Sequence, residues 1–173
     1  MTQQPGSPGT KRERDGATQL EFTRTFEAPI EQVWAAVTDP ERLARWVGTW
    51  TGDPAEGEVM FRMGFEGEEA EPECMQIEEC EPPRRLRLVS TVGNGEGEPK
   101  SWHLALELSE HDGVTTLVFA QEVPDPELVE SVGPGWQFYL DRLVAAETGG
   151  DVSAVVWEDY YPTLADRYRD AFS

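Results

Sequence analysis

The sequence predicts an α+β fold in which a curved antiparallel sheet of about six strands wraps around a long C-terminal helix. Segments between residues 19 and 123 alternate apolar and polar residues with the period of half-buried strands. Short turns join most of these segments, which favours antiparallel pairing of consecutive strands. A helical apolar stripe over residues 136–147 is the element large enough to cover the apolar face of such a sheet.

The first strand is predicted over residues 19–27. Leu20 and Phe22 alternate there with polar neighbours, and Arg24 occupies a position of the apolar series. A buried guanidinium is costly unless an anion pairs with it. If Arg24, or Arg62 further along the chain, points inward, it would therefore indicate a carboxylate or phosphate on a ligand.

Two short helices are predicted after this strand, and both apolar stripes should face inward. Asp39 can cap the second helix because its carboxylate can accept hydrogen bonds from free backbone N–H groups, and Pro40 suits the first helical position. The stripes consist of Ile30, Val33, Trp34 and Val37 in the first helix, and of Leu43, Trp46 and Val47 in the second.

Five further strands are predicted before the long helix. The alternation is clearest where Leu104, Leu106 and Leu108 share one side of a strand while His103 and Glu107 lie on the other. Because the connections are short, these strands should form a meander. The five segments are residues 59–65, 74–79, 84–92, 102–108 and 114–123.

A glycine–proline–glycine sequence precedes the long helix. Gly133, Pro134 and Gly135 should interrupt helical structure and separate a short segment, residues 124–132, from the helix that follows. One interpretation is a plain turn with Pro134 near the first helical turn. The other is a hinge that directs Trp136 towards an internal cavity and controls access of a ligand to it.

Length and composition predict one folded domain, residues 18–148, preceded by a disordered leader, residues 1–17, and followed by a helical extension, residues 149–173. The formal charge of -20 disfavours nucleic acid and anionic membrane surfaces as partners. The sequence has neither an apolar run long enough to span a membrane nor a signal-peptide core, so we expect a cytoplasmic protein. Cys74 and Cys80 on one strand would lie roughly 20 Å apart, too far for a disulfide.

Three stretches carry a resemblance to a known family: FEAPIEQVWAAVTDPERLARWV, the strand WHLALEL with its partner TTLVFAQE, and GWQFYLDRL. They resemble the START-like, polyketide cyclase and plant-allergen superfamily (SRPBCC), and within it the branch named after the activator of the heat-shock protein 90 ATPase. The resemblance covers nearly all of residues 19–148 and implies the helix-grip fold. The residues of the C-terminal extension predict an appended helix that is interrupted or restarted near Pro162. The motif WEDYYPTLADRYR also looks like extensions of some bacterial members.

The helix-grip fold leaves a space between sheet and helix, and seven side chains are candidates for its wall. Ligand sites are concave and mostly apolar, which suits a set of tryptophans and aliphatic residues. The alternative is an ordinary packed core, because large apolar side chains are usually just buried. The ligand-binding candidates are Trp46, Phe61, Met63, Trp102, Leu104, Trp136 and Leu140.

No motif indicates catalysis, a metal site or a cofactor. We expect neither a metal nor a cofactor, and we name no catalytic residue. His103 and His111 are the only histidines, and the sequence contains no H-E-x-x-H, C-x-x-C, phosphate-loop or G-x-S-x-G pattern. The three arginines within residues 84–87 could pair with the acidic residues 66–73 or bind an anionic head group.

Three functions are therefore considered. The first is binding of a hydrophobic or amphipathic small molecule in the cavity, without a cofactor and without catalysis. The second is a protein-interaction module like the chaperone-activating branch, with a filled interior, an exposed apolar patch and an acidic surface that attracts a basic partner. The third is a cyclase-like or hydrolase-like enzyme with polar groups converging in the cavity. A dimer is compatible with each.

Overall fold

The computed structural model describes residues 9–14, 16–63, 72–92, 100–123 and 129–172 of the chain. In these residues eight strands form one antiparallel sheet, with helices packed on its inner face. The strands are β1 (Thr10–Arg14), β2 (Ala17–Phe26), β3 (Gly48–Thr51), β4 (Glu58–Met63), β5 (Glu73–Glu81), β6 (Arg85–Val92), β7 (Lys100–His111) and β8 (Val114–Glu122). The helices are α1 (Ile30–Thr38), α2 (Pro40–Leu43), α3 (Val129–Glu147) and α4 (Ala165–Phe172).

The predicted fold class is confirmed, although the described sheet has eight strands where the sequence predicts about six. The strand order is β1-β2-β8-β7-β6-β5-β4-β3, so β3 to β8 form a meander and β2 closes on its last strand. The predicted pairing of the WHLALEL strand with the TTLVFAQE strand is also confirmed as β7 with β8. None of the helices in the described ranges is both long enough and apolar enough to cross a bilayer.

The prediction of a disordered leader over residues 1–17 is wrong for Thr10–Arg14, which form β1; residues 1–8 lie outside the described part. All five side chains of β1 are exposed, so no apolar alternation could reveal this strand. It forms instead through backbone pairing with β2. Arg12 and Arg14 each lie 3.8 Å from the Glu21 carboxylate across this pairing.

The other unpredicted strand, β3, has four residues, which is too short to display a period. It pairs antiparallel with β4. The predicted second helix is shorter than expected, because α2 ends at Leu43 and Trp46 follows it. The predicted cap is confirmed: the backbone N–H of Glu41 donates to Asp39 Oδ1 at 2.9 Å, and Pro40 begins the helix.

The predicted interruption at Gly133–Gly135 is wrong, because α3 is continuous through these residues. Pro134 is the sixth residue of the helix, so it is neither a turn nor a first-turn proline. A Cβ atom on Gly133 would lie 2.5 Å from the ring of Tyr168, which means that the glycine lets α4 approach α3 closely. The low helix propensity of glycine and proline is therefore outweighed here by tertiary packing. Because the helix is unbroken, the structure does not support a hinge at these residues.

The C-terminal extension packs on its own chain. The predicted helix after Pro162 is confirmed as α4, which lies against α3 and reaches β1. Tyr160, Tyr168 and Phe172 are buried in the same core as the sheet residues. Cys74 and Cys80 both lie on β5 and are free, as predicted.

Candidate functional site

The inner face of the sheet is covered unevenly. One cross-strand row runs Leu20, Gln121, Leu104, Leu88 and Ile77, from β2 to β5. Leu20 and Gln121 are 0% and 1% exposed, whereas the other three are only half-buried. Because α3 packs along β2, the β5–β7 side of the inner face keeps apolar surface in contact with solvent.

We call this partly exposed apolar surface the inner groove. Its members pack against the core without being enclosed by it. Trp136 of α3 lies beside this surface, because it is hydrogen-bonded to Gln121, the cross-strand neighbour of Leu104. The inner groove consists of Ile77, Leu88, Leu104 and Trp136.

The structure does not bring the predicted ligand-binding residues together in one site. Leu104 and Trp136 lie half-buried in the inner groove. Phe61 is half-buried on β4, separated from Ile77 by the row that contains the buried Met75 and Ser90. Trp46 and Leu140 are 4% and 0% exposed and belong to the hydrophobic core. Trp46 also donates its indole N–H to the Ala36 carbonyl at 3.0 Å. The remaining two, Met63 and Trp102, belong to β4 and β7, but their side chains lie outside the described part.

Trp136 is held in a defined position by aromatic neighbours. Its ring centroid lies 4.4 Å from that of Phe119 on β8 and 6.0 Å from that of Tyr139, one turn further along α3. Such tilted and edge-on arrangements are favourable for aromatic pairs. The indole is therefore a preorganised wall of the groove.

Gln121 joins Trp136 to the sheet, and the sequence analysis missed it. The Trp136 indole N–H donates to Gln121 Oε1. Gln121 Nε2 is buried and has no hydrogen-bond partner among the described residues. The signal was available, since Leu117, Phe119 and Gln121 continue the inward alternation of β8 and only the last is polar.

A second polar group missed by the sequence analysis lies on the same face. Ser90 on β6 is buried beside Met75, its cross-strand partner on β5. Its hydroxyl donates to Glu73 Oε2 at 3.1 Å, and Glu73 is exposed. The inner face therefore combines an apolar surface with a small number of polar groups, as ligand sites do.

Arg24 does point inward, but the chain itself supplies its anion. Its guanidinium lies 3.1 Å from Asp141 Oδ1 of α3, and both side chains are buried. Tyr160 donates its hydroxyl proton to Asp141 Oδ2 at 2.6 Å. Burial and the neighbouring carboxylate raise the pKa of Tyr160 well above its usual range. Arg24 therefore gives no indication of an anionic ligand.

The other arginines considered in the sequence lie on the surface. Arg62 and Arg87 are exposed. Arg85 lies 3.5 Å from both Glu79 and Glu107, so it pairs with neighbouring strands of the sheet. Residues 66–71 of the acidic segment proposed as a partner, 66–73, lie outside the described residues.

A shallow concavity of about 130 Å³ occurs on the opposite, outer face of the sheet. Its lining mixes both charges, with Arg14 and Arg87 beside Glu21, around the small side chains of Ala105 and Ala120. Sites for small molecules usually enclose about 300–1,000 Å³, so this concavity is too small to hold one.

Both histidines lie away from the inner groove. His103 faces outward from β7, with Nδ1 3.6 Å from the Glu78 carboxylate, and His111 is exposed at the turn into β8 beside Asp112. Across the ranges that the structure describes, no three His, Cys, Asp or Glu side chains are arranged to hold a metal ion.

An antiparallel sheet wrapped around a long C-terminal helix, with an apolar inner groove, defines a protein of the helix-grip class. Residues 27–147 match the family described as Activator of Hsp90 ATPase homolog 1-like protein, and the chain belongs to this family. The resemblance identified in the sequence is thereby confirmed. Comparison with curated protein sequences gives no significant match.

Solved bacterial structures are similar over almost the whole chain. The crystal structure of CalU16 from Micromonospora echinospora is 25% identical, covers 95% of this chain and 92% of its own, and has a TM-score of 0.66. Its solution structure gives 26% identity, coverage of 99% and 96%, and a TM-score of 0.69. A Bordetella parapertussis protein is 26% identical, with coverage of 99% and 93% and a TM-score of 0.65. Since coverage reaches 99% of this chain, these similarities include the C-terminal extension.

Proposed function

We propose that this protein binds an apolar or amphipathic small molecule in the inner groove. The observation that carries the proposal is the exposure gradient across one row of the sheet, from the buried Leu20 to the half-buried Leu104, Leu88 and Ile77. Contiguous apolar surface in contact with water is unfavourable by about 25 cal/mol per Å². A ligand that covers the inner groove removes this surface from water.

The shape and rigidity of the groove support the proposal. It lies where the sheet meets α3, at the contact between Gln121 and Trp136, and ligand sites are frequently found where two elements meet. The packing of Trp136 on Phe119 fixes one wall before a ligand arrives, which lowers the entropy lost on binding. Members of the superfamily that this chain resembles bind lipids, hormones or polyketides, which supports the same ligand class.

The test is native mass spectrometry of the purified protein, followed by extraction of anything bound and by thermal shifts with a panel of fatty acids and aromatic polyketides. Leu104→Arg places a charge in the groove, and His103→Arg places the same charge one residue away on the outer face. We expect binding by the wild type and by H103R, and its loss in L104R. A wild-type protein with the mass of the bare chain and no thermal stabilisation by the panel would overturn the proposal.

A second candidate is a protein-interaction module, and one observation favours it. Trp157 and Tyr161 of the C-terminal extension are 40% and 39% exposed, and their rings stack 5.8 Å apart. Exposed aromatic residues are common at protein interfaces. Purified protein should then stimulate the ATPase of an Hsp90-type chaperone, and Trp157→Ala should abolish the stimulation. No stimulation by the wild type would remove this candidate.

A further inference from the structure

The C-terminal extension presents a pair of aromatic rings at the surface. Trp157 and Tyr161 are 40% and 39% exposed, and their rings stack with centroids 5.8 Å apart. Among the described residues, one other large apolar side chain, Met60, is exposed to this degree, and it lies on β4 near the far edge of the sheet. Exposed apolar surface is unfavourable in water, and aromatic residues are enriched at interfaces. Two stacked rings at one place therefore indicate a binding partner.

Both rings are held in place by the local backbone and by α3. Trp157 begins a short 3₁₀ turn, Trp157–Asp159, and the Tyr161 N–H donates to the Trp157 carbonyl at 3.1 Å. The two side chains therefore lie one turn apart on the same face. The Trp157 ring also meets the Phe138 ring of α3 edge-on at 5.2 Å. Because this surface is preorganised, little conformational entropy is lost when a partner binds.

The charge beside the rings favours a cationic partner. Glu158 lies between Trp157 and Tyr161 in the chain, and its side chain is exposed and forms no ion pair with a described residue. Its carbonyl oxygen accepts the Thr163 hydroxyl at 2.9 Å, which fixes the backbone at this point. The formal charge of -20 on the chain adds attraction at longer range. A basic segment of a partner protein would therefore be drawn to this surface.

Arginine fits this arrangement better than lysine. A planar guanidinium stacks on aromatic rings and also pairs with a carboxylate through two N–H groups, whereas an ammonium group is a compact and strongly hydrated charge. The same aromatic cluster already contains such a contact, since the Arg142 guanidinium lies over the Phe138 ring, 5.4 Å from its centroid. Trp157 and Tyr161 offer a second position of this kind at the surface.

We propose that Trp157, Tyr161 and Glu158 form a docking surface for an arginine-containing segment of a partner protein. The guanidinium stacks on the rings while the Glu158 carboxylate accepts its hydrogen bonds. We call these three residues the aromatic–acidic patch. This inference deepens the second candidate function, because it specifies the partner chemistry of a protein-interaction module, and it is independent of ligand binding in the inner groove.

The experiment compares three peptides of one length, octa-arginine, octalysine and octaproline, by fluorescence anisotropy at about 150 mM salt. The first two carry the same charge, so the ratio of their affinities cancels the general attraction of cations to an acidic protein. We expect the wild type to bind octa-arginine about threefold more tightly than octalysine, the difference that stacking and bidentate pairing make. Octaproline, which tests a polyproline partner, should bind more weakly than both.

Removing either ring should lower this ratio of affinities, so Trp157→Ala and Tyr161→Ala are each measured. Met60→Ala is the matched control, because it removes a side chain of similar exposure away from the patch and should keep the ratio. Glu158→Gln should lower the ratio as well. Glu56→Gln changes the net charge by the same amount at an exposed site before β4 and should keep the ratio.

The wild-type protein reports binding without any change to the patch. The indole N–H signal of Trp157 in a nitrogen–proton correlation spectrum, assigned by its disappearance in Trp157→Phe, should shift on titration with octa-arginine. The signal of Trp46 should not, because this side chain is buried and its N–H is bonded to the Ala36 carbonyl. An unshifted Trp157 signal would overturn the proposal.

Three other outcomes would also overturn it: no binding of octa-arginine, an equal ratio of affinities in the wild type and in W157A, and preferential binding of octaproline. Failure of this inference is distinguishable from failure of the second candidate function. Stimulation of the chaperone ATPase without selectivity for arginine would overturn this inference alone. Selective binding of octa-arginine without stimulation would support the aromatic–acidic patch and exclude such a chaperone as its partner.

Discussion

Tyr160 donates a 2.6 Å hydrogen bond to the carboxylate of Asp141, the residue that neutralises the buried Arg24. The C-terminal extension therefore completes an ionic cluster of the core. Tyr160 lies beyond residues 27–147, over which the family match extends. The extension is thus packed into the core of this fold, and we expect the stability of the fold to depend on it.

Tyr160→Phe should lower the free energy of unfolding by about 1.5–3 kcal/mol, because it removes a hydrogen bond to a buried charged group. Urea denaturation followed by circular dichroism measures the change. Tyr161→Phe is the matched control. Because Tyr161 is exposed, loss of its hydroxyl group should change the free energy of unfolding by less than about 0.5 kcal/mol. Equal effects of the two substitutions would contradict the structural role of the Tyr160 hydroxyl.

Asp141→Asn should be more damaging, with a loss of about 3–5 kcal/mol, because it leaves the Arg24 guanidinium buried without an anion. An exposed pair provides the comparison: Glu107→Gln removes a partner of Arg85 at the surface and should cost less than about 1 kcal/mol. Thermal unfolding of both variants checks the difference. A D141N protein as stable as E107Q would mean that the buried pair contributes nothing.

Gly133→Ala and Gly135→Ala should have opposite effects. The new methyl group at Gly133 would lie 2.5 Å from the Tyr168 ring and push α4 away, which costs about 1–3 kcal/mol. Nothing lies within 4 Å of a methyl group at Gly135, so alanine there should stabilise α3 by about 0.5–1 kcal/mol. Midpoints of urea unfolding measure both. Destabilisation by G135A would show that helical preference does not govern this position.

Alkaline pH should destabilise the protein through its buried tyrosines. Burial raises the pKa of Tyr168 from 10.0 to about 12, and the pKa of Tyr160 is raised as well. The unfolded chain therefore releases these protons first, and stability present below pH 10.0 is lost as the pH rises through about 12. Unfolding free energies measured across this range should decline. Tyr168→Phe should make the decline shallower, and an unchanged slope in Y168F would refute the assignment.

Local patterns predict the elements that bury one face and miss those that do not. The alternation over residues 102–108 is sufficient to define β7. β1 has no buried side chain, and its pairing with β2 is a backbone property that composition does not encode. The close approach of α4 to α3 at Gly133 involves Tyr168, a residue that is distant in sequence.

The candidate site is predictable only in part for the same reason. Phe61 and Leu104 are recognisable because inward-facing positions follow from alternation. How far an apolar side chain is buried depends on the packing of the helices on the sheet. The sequence therefore does not distinguish the fully buried Trp46 and Leu140 from the half-buried groove residues. The alternation of β8 marks Gln121 as an inward-facing polar residue, but its bond to Trp136 depends on how α3 packs on the sheet.

The position of β2 between β1 and β8 bears on how the chain folds. β2 precedes β3 to β8 in the chain, but it joins the rest of the sheet through β8, the last strand. Phe22 of β2, for example, pairs with Phe119 of β8. Because non-local pairings form slowly, the β3–β8 meander should acquire protected amides before β2 does, which pulsed hydrogen exchange would reveal. The N-terminal strands then join last, together with α4, whose Tyr168 hydroxyl accepts the Gly9 N–H at 2.8 Å. The strands β1 and β2 and the helix α4 would thus be secured in a single late step.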